Sequence, residues 1–277
     1  MKIFVTGGEG MLGRSVCRHF PAAHQLITPA RAALDIRDHH AVRRQIAQAQ
    51  PDRVLHLAAL TDVDLCQRQP DLAYQVNTAA TANLVAICRD LNLPLLFMSS
   101  IAVFDGHKPT PYLEDDPPAP VNVYGDSKWR AERLVATLPR HLIVRSGWLF
   151  GGGAADKKFV GKIIELARQR QRLTVVDDKI GSPTFTDDLA VGLERLLLRG
   201  DDGVRHLVNS GPPVSRFHLA AEILRLADVS TDLLPVSSAH FPHLAPRPDM
   251  EAAASHHTTG WLRPWPAALQ IYVTQIQ

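Results

Sequence analysis

The chain has 277 residues, 45% of them hydrophobic, 21% charged and 6% aromatic, enough for one large domain or two joined lobes with a substantial core. Thirty Lys and Arg against 28 Asp and Glu leave a net charge of +2, which argues against bulk electrostatic binding to nucleic acid but leaves room for a local phosphate site. Cys17, Cys66 and Cys88, an odd and sparse set, make neither a disulfide framework nor a zinc cluster; with no leader-like start and no membrane-length apolar run, a reduced, cytoplasmic protein is expected.

Short apolar runs alternate with amphipathic segments. Lys2–Thr6 reads as a buried strand, followed by a glycine-rich turn and a helix over Met11–Phe20. Gln25–Thr28 is a weaker strand, Asp38–Gln48 a helix and Arg53–Leu57 a third strand. Pro70–Leu91 carries one long helical pattern, Leu95–Met98 a fourth strand, Asn122–Thr137 a helix and His141–Arg145 a fifth strand. This alternation predicts an α/β fold with a doubly wound parallel sheet, covered on both faces. After Trp148 the rhythm weakens. Helices are expected at Lys158–Gln171, Thr186–Leu198 and Ser215–Ala227, with Ser215 as N-cap and a late strand at His206–Val208. The expected division is a dinucleotide-binding domain over 1–147, rejoined by about 186–208, and a smaller carboxyl-terminal lobe from 148–185 and 209–277. The proline-rich loop His107–Pro120 is long enough to suggest a functional role.

The turn Thr6–Gly13, TGGEGMLG, sits between the first strand and the first helix. Glycines there allow a tight turn and close backbone approach to a pyrophosphate, while the helix start supplies N–H donors. Two spacings fit: Gly8-x-Gly10-x-x-Gly13 and Gly7-x-x-Gly10-x-x-Gly13. Glu9 should point to solvent. No carboxylate ends the second strand to read a ribose 2′-hydroxyl. Arg31 is there instead, either a partner for a 2′-phosphate or a solvated loop arginine, so NADP(H) is expected with NAD(H) use left open. Asp35 and Ile36 lie late enough to flank the adenine.

Tyr124 and Lys128 form a YxxxK pair at a helix start, so that phenol and ammonium share one face. A lysine cation beside a tyrosine favours the phenolate and tunes it for proton transfer. Ser99 and Ser100 close the fourth strand at the edge that faces the glycine turn; Ser100 could orient a carbonyl. Together these residues describe hydride transfer to a carbonyl with tyrosine as the acid. The histidine pairs His39–His40 and His256–His257 read as solvated, His56 as a satisfied core histidine, and the pair Asp187–Asp188 as a helix start. Trp261 and Trp265 are both expected to pack the small lobe.

The chain resembles the extended short-chain dehydrogenases/reductases, and within them the dTDP-4-dehydrorhamnose reductase family, over nearly its whole length. The resemblance rests on Thr6–Gly13, PDRVLHLAALTDVDLC at Pro51–Cys66, VFDG at Val103–Gly106, PYLEDDPPAPVNVYGDSK at Pro111–Lys128, RSGWLFG at Arg145–Gly151, VVDDKIGSPTFTDDLA at Val175–Ala190 and Arg247-Pro248. It implies a Rossmann fold in which Gly7, Gly10, Met11 and Leu12 hold the pyrophosphate. Leu57, Ala58, Ala59 and Thr61 would line the nicotinamide half of the cofactor. Ser100, Tyr124 and Lys128 would be catalytic, Trp148 would lie against the sugar and Arg247 would meet the nucleotide. The implied reaction reduces the C4 ketone of a dTDP-linked 6-deoxyhexulose with NADPH or NADH, most simply dTDP-4-dehydrorhamnose to dTDP-L-rhamnose. The implied partner is a nucleotide sugar, with a homodimer as one option and no nucleic acid or membrane. A related nucleotide-sugar ketoreductase is the alternative, as is a non-catalytic NADP-binding subunit resembling the regulator of methionine adenosyltransferase. The chain departs from the family at Ser99–Ala102, Lys158, Lys179 and the tail Glu251–His257. Some relatives bind magnesium through a carboxylate after the glycine turn; Arg14-Ser15 stands there, so no metal is expected.

Overall fold

A computed structural model describes residues 1–153 and 158–277. The first half follows the predicted alternation: β1 (Lys2–Thr6), α1 (Met11–His19), β2 (Gln25–Ile27), α2 (His39–Ala49) and β3 (Arg53–His56). After them come α3 (Val63–Arg68), α4 (Pro70–Ala73), α5 (Ala80–Asp90), β4 (Leu95–Met98), α6 (Val123–Val135) and β5 (His141–Arg145). Strand interiors are apolar on both faces, as burial between two helical layers requires. Side-chain caps fix several helix starts: Asp38 accepts from the Ala41 N–H at 3.0 Å and Asn122 from the Gly125 N–H at 2.9 Å.

The second half begins with β6 (Leu149–Phe150), α7 (Phe159–Gln169), β7 (Arg172–Val176), β8 (Ile180–Gly181) and β9 (Thr184–Phe185). It continues through α8 (Thr186–Arg199), β10 (Gly203–His206), β11 (Val214–Ser215), α9 (Arg216–Ala227), β12 (Asp232–Val236), β13 (Met250–Glu251) and α10 (Trp265–Ile276). The main sheet is wholly parallel, in the order β10-β5-β4-β3-β1-β2. Successive strands run outward in opposite directions from the junction of β1 and β3, so a crevice opens at their carboxyl ends. One face of the sheet packs against α1 and α8 through Val16, Leu189 and Leu193; the other packs against α2, α5 and α6 through Ile46, Leu84 and Val135. A separate core formed by α7, α9, α10, β7 and β9 closes the far side of the crevice.

Four sequence expectations need correction. The helix over Pro70–Leu91 is interrupted by a π-helical stretch at Tyr74–Ala79. Asn77 within it accepts from the Leu60 N–H at 2.8 Å and donates to the Leu60 carbonyl at 3.0 Å and to Ser127 Oγ at 2.9 Å. Long-range bonds thus hold the bulge, and no local spacing reveals them. The late strand is Gly203–His206, earlier than His206–Val208, because β10 takes its register from β5. Helix α7 stops at Gln169, since Arg172–Val176 pairs with β12 as a strand. Trp265 packs in the small core, but Trp261 packs on the main-sheet core, with the Arg195 guanidinium 4.0 Å from its ring.

The proline-rich loop ties the molecule together. Tyr112 stacks on Phe104 at 4.2 Å and donates to Asp105 at 2.6 Å. Glu114 accepts from the backbone N–H groups of His206 and His256, joining sheet edge to carboxyl-terminal segment.

Candidate active site

The crevice is a cleft of about 850 Å³. Its floor begins at the glycine turn. Gly7 has φ +75°, and a Cβ there would lie 2.6 Å from the Ala58 nitrogen; a Cβ on Gly13 would lie 2.2 Å from the Gly7 carbonyl oxygen. At Gly8 the nearest atom would be Thr28 Cβ at 3.1 Å. At Gly10 it would be the Gly7 carbonyl oxygen at 3.2 Å, so the geometry depends most on Gly7 and Gly13 and does not separate the two spacings. Gly10 is the N-cap of α1 and provides no side-chain cap, so the first-turn N–H groups remain available to an anion. Gly7, Gly10, Met11 and Leu12 line the cleft here, with Leu57, Ala58, Ala59 and Thr61 across from them. A backbone cradle that excludes a Cβ at Gly7 and Gly13, at a helix start with uncapped donors, fits a dinucleotide pyrophosphate.

Arg31, Asp35 and Ile36 line one end of the same cleft. The Arg31 side chain is exposed, while its backbone N–H donates to the Glu9 carboxylate at 2.8 Å. Glu9 is itself solvent-exposed. Asp35 is gripped by Arg37, which holds its carboxyl down at about 2.

Ser100 follows β4, caps a short helical turn by accepting from the Ala102 N–H at 3.2 Å, and presents its hydroxyl near enough to the Tyr124 phenol to favour ionisation. Tyr124 sits in the first turn of α6. The residue after it has to be small: a Cβ on Gly125 would lie 2.1 Å from the Ala102 carbonyl oxygen, so only glycine lets α6 press against the Ser100 segment. The half-buried Tyr124 is surrounded by protein at the base of the cleft. Burial pushes its phenol up to about 12; the nearby Ser100 hydroxyl opposes this, and Cys66 and Glu251 add to it. The phenol is therefore a protonated donor at neutral pH.

Lys128 lies one turn on, 2% exposed, with its ammonium 4.0 Å from the Phe97 ring centroid. Burial pulls it down to about 7, opposed by Glu132 one turn further along. Lys128 is thus not among the groups that set the Tyr124 phenol; desolvation outweighs the tuning expected from the i, i+4 spacing.

The opposite wall holds Trp148. Its backbone is left-handed, φ +47°, at a cost of about 1–2 kcal/mol for a residue other than glycine. Three contacts hold it: Nε1 donates to Glu251 Oε2 at 3.0 Å, the Arg216 guanidinium lies 3.4 Å from the ring centroid, and Gly181 is in contact with the indole. Arg247 lines the cleft and is paired with Asp64 on α3, Nη2 to Oδ2 2.9 Å. Arg216 and Glu251 were not foreseen. Arg216 looks like an ordinary first residue of a helix, and Glu251 lies in a tail without periodicity.

One cleft thus combines an anion-binding turn, a hydroxyl–phenol pair and an aromatic wall flanked by opposite charges. Comparison with known proteins agrees with that chemistry. A family model described as the RmlD substrate binding domain matches residues 1–277. The chain is 33% identical over 280-odd residues to a dTDP-4-dehydrorhamnose reductase of Mycolicibacterium smegmatis, covering 99% of this chain and 86% of the other. Among solved structures, a dTDP-4-dehydrorhamnose reductase from Clostridium acetobutylicum aligns with TM-score 0.95 at 32% identity, over 99% of each chain. The Bacillus anthracis reductase, solved in complex with NADP, aligns with TM-score 0.93 at 31% identity over 99% of this chain and 98% of that one.

Proposed function

The chain belongs to the dTDP-4-dehydrorhamnose reductase family, and we propose that its cleft reduces the C4 ketone of a dTDP-linked 6-deoxyhexulose through Ser100, Tyr124 and Lys128. The observation that carries this reading is that Ser100, Tyr124 and Lys128 line the same cleft as the uncapped glycine turn.

Bound NADPH supplies the hydride that adds to the ketone carbon. The chain provides the rest. Gly7, Gly10, Met11 and Leu12 hold the pyrophosphate, and Arg31 stands where a 2′-phosphate would need a cation. Ser100 donates to the ketone oxygen and orients it. Tyr124 passes its phenolic proton to that oxygen as negative charge develops there; the phenol's high affinity for protons keeps it loaded until then. Lys128 lies one helical turn below, near the boundary between charged and neutral, so an anionic ligand or a forming phenolate favours its charged form. Trp148 gives the sugar a flat apolar wall, and Arg247 meets the nucleotide once released from Asp64.

The same reading takes 1–147 with 186–208 as the dinucleotide-binding unit. Supporting it, β10 extends the main sheet beside β5 and α8 packs on α1. Cytoplasmic residence is supported by the three free thiols, Cys17, Cys66 and Cys88.

The test is a screen of 4-keto sugar nucleotides with NADPH, followed at 340 nm. The dTDP-4-keto-6-deoxyhexulose should turn over and yield a deoxyhexose nucleotide. NADPH binding without turnover of any 4-keto sugar would favour the regulatory-subunit alternative.

A further inference from the structure

We propose that Glu251 is a specificity-determining residue, accepting a hydrogen bond from the ring hydroxyl that adjoins the reacting ketone. The inference rests on the reductase reading above and goes beyond it by assigning substrate selection to one side chain.

Glu251 is built into place. It lies on the last rung of β13, directly opposite Gly181 of β8. Gly181 has no room for a side chain: a Cβ there would lie 2.2 Å from Trp148 Cε2. The indole therefore packs against the rung that carries Glu251, and the Arg216 guanidinium holds its ring at 3.4 Å. Trp148 Nε1 donates to Glu251 Oε2 at 3.0 Å. That bond occupies one carboxylate oxygen. Among the described residues, Oε1 takes no hydrogen bond, and Glu251 lines the cleft. A carboxylate oxygen that faces the cleft and takes no donor from the described residues is free to accept one from a ligand.

Charge decides what kind of donor. Arg216 lies on the same indole that Glu251 holds, its guanidinium 3.4 Å from the ring centroid, and its charge acts on Glu251. With that cation at hand, the carboxylate needs no second one, so a neutral hydroxyl suits the site better than the ammonium of an amino sugar. Position decides which hydroxyl. A Cβ on Gly147 would lie 3.5 Å from Ile101, the neighbour of Ser100, and 3.7 Å from the Glu251 carbonyl oxygen, so the end of β13 adjoins the segment that orients the ketone; the Glu251 charge also acts on the Tyr124 phenol, the donor to the ketone oxygen. On a 6-deoxy-4-hexulose, the carbons flanking C4 are C3, which bears a hydroxyl, and C5, which bears the ring oxygen and the methyl carbon. The C3 hydroxyl is therefore the group that Glu251 reads.

A site built to accept from a hydroxyl penalises the analogue that lacks it, because the acceptor is then left unpaired. Steady-state kinetics with NADPH on the dTDP-4-keto-6-deoxyhexulose and on its 3-deoxy analogue test this. The wild type should prefer the hydroxylated sugar by at least about 100-fold in kcat/KM. Glu251→Ala should reduce that preference to below about 5-fold, by losing far more activity on the hydroxylated sugar than on its analogue, with the Kd for NADPH unchanged. Glu251→Gln, which keeps an acceptor for Trp148 but loses the charge, should fall between. Equal losses on both sugars, with a working wild type and intact NADPH binding, would overturn the assignment and leave Glu251 as a support for Trp148. A wild type that reduces neither sugar would overturn the reductase reading, and this inference with it.

Discussion

Glu132 on α6 and Arg145 on β5 form a two-pronged ion pair, Nε to Oε1 2.9 Å and Nη2 to Oε2 2.7 Å, with both side chains at most 3% exposed. Ser99 donates to the same Glu132 oxygen at 2.5 Å. Ser99 precedes Ser100, and Glu132 lies two helical turns beyond Tyr124. The pair therefore fastens the strand end that carries Ser100 to the helix that carries Tyr124 and Lys128. Burying two charges is costly, and removing one partner strands the other.

Glu132→Ala should accordingly lower unfolding stability by about 3–5 kcal/mol, since it leaves the Arg145 guanidinium buried without its counter-charge. Urea denaturation measures this. The double variant Glu132→Leu/Arg145→Met should be more stable than Glu132→Ala; a double variant as unstable as the single one would mean the stranded charge is not the cause.

His56 bridges β1 and α5, with Nδ1 2.7 Å from Thr6 Oγ1 and Nε2 3.0 Å from Thr81 Oγ1. Burial holds it neutral, down at about 3, and holds His206 down at about 4, against an ordinary 6.5. Below pH 6.5 the unfolded chain takes up protons that the folded chain refuses, so stability falls as pH falls through this window and is fully present above it. At pH 5 the loss should be roughly 2 kcal/mol from each histidine. His56→Gln should be less stable at pH 7 but lose less between pH 7 and pH 5. A variant whose loss over that interval matches the wild type would exclude His56 as a source.

Arg31 is an exposed cation at one end of the cofactor cleft, with no acidic side chain at the end of β2. Arg31→Ala should weaken NADPH binding at least about 10-fold, the scale of one charge-assisted contact to phosphate, with little effect on NADH. Fluorescence titration with both cofactors checks this. Equal weakening of the two would mean that Arg31 does not read the 2′-phosphate.

How far the sequence reveals the molecule depends on where the determining interactions lie. β1 to β5 are legible because each is a short apolar run bounded by turns, and the glycine turn because its constraint is local. The bulge at Tyr74–Ala79 is invisible, since Asn77 is held by Leu60 and Ser127 from other elements. β7 and β12 stabilise each other and show weakly alone, and α10, nearly continuous in apolar character from Trp265, carries little polar periodicity to mark one face. In the site, Ser100, Tyr124 and Lys128 are legible from type and spacing. Their electrostatics are not: Lys128 sits over Phe97 in a buried pocket that no i, i+4 argument contains. Glu251 becomes visible only when β13 pairs with β8 and meets Trp148.

The most direct test of the central claim is the rate of NADPH oxidation by purified Tyr124→Phe with dTDP-4-keto-6-deoxyhexulose, measured beside the wild type. The phenyl ring keeps the packing and removes only the proton donor. A fall of at least about 100-fold with unchanged NADPH affinity is the predicted result; an unchanged rate would contradict Tyr124 as the acid.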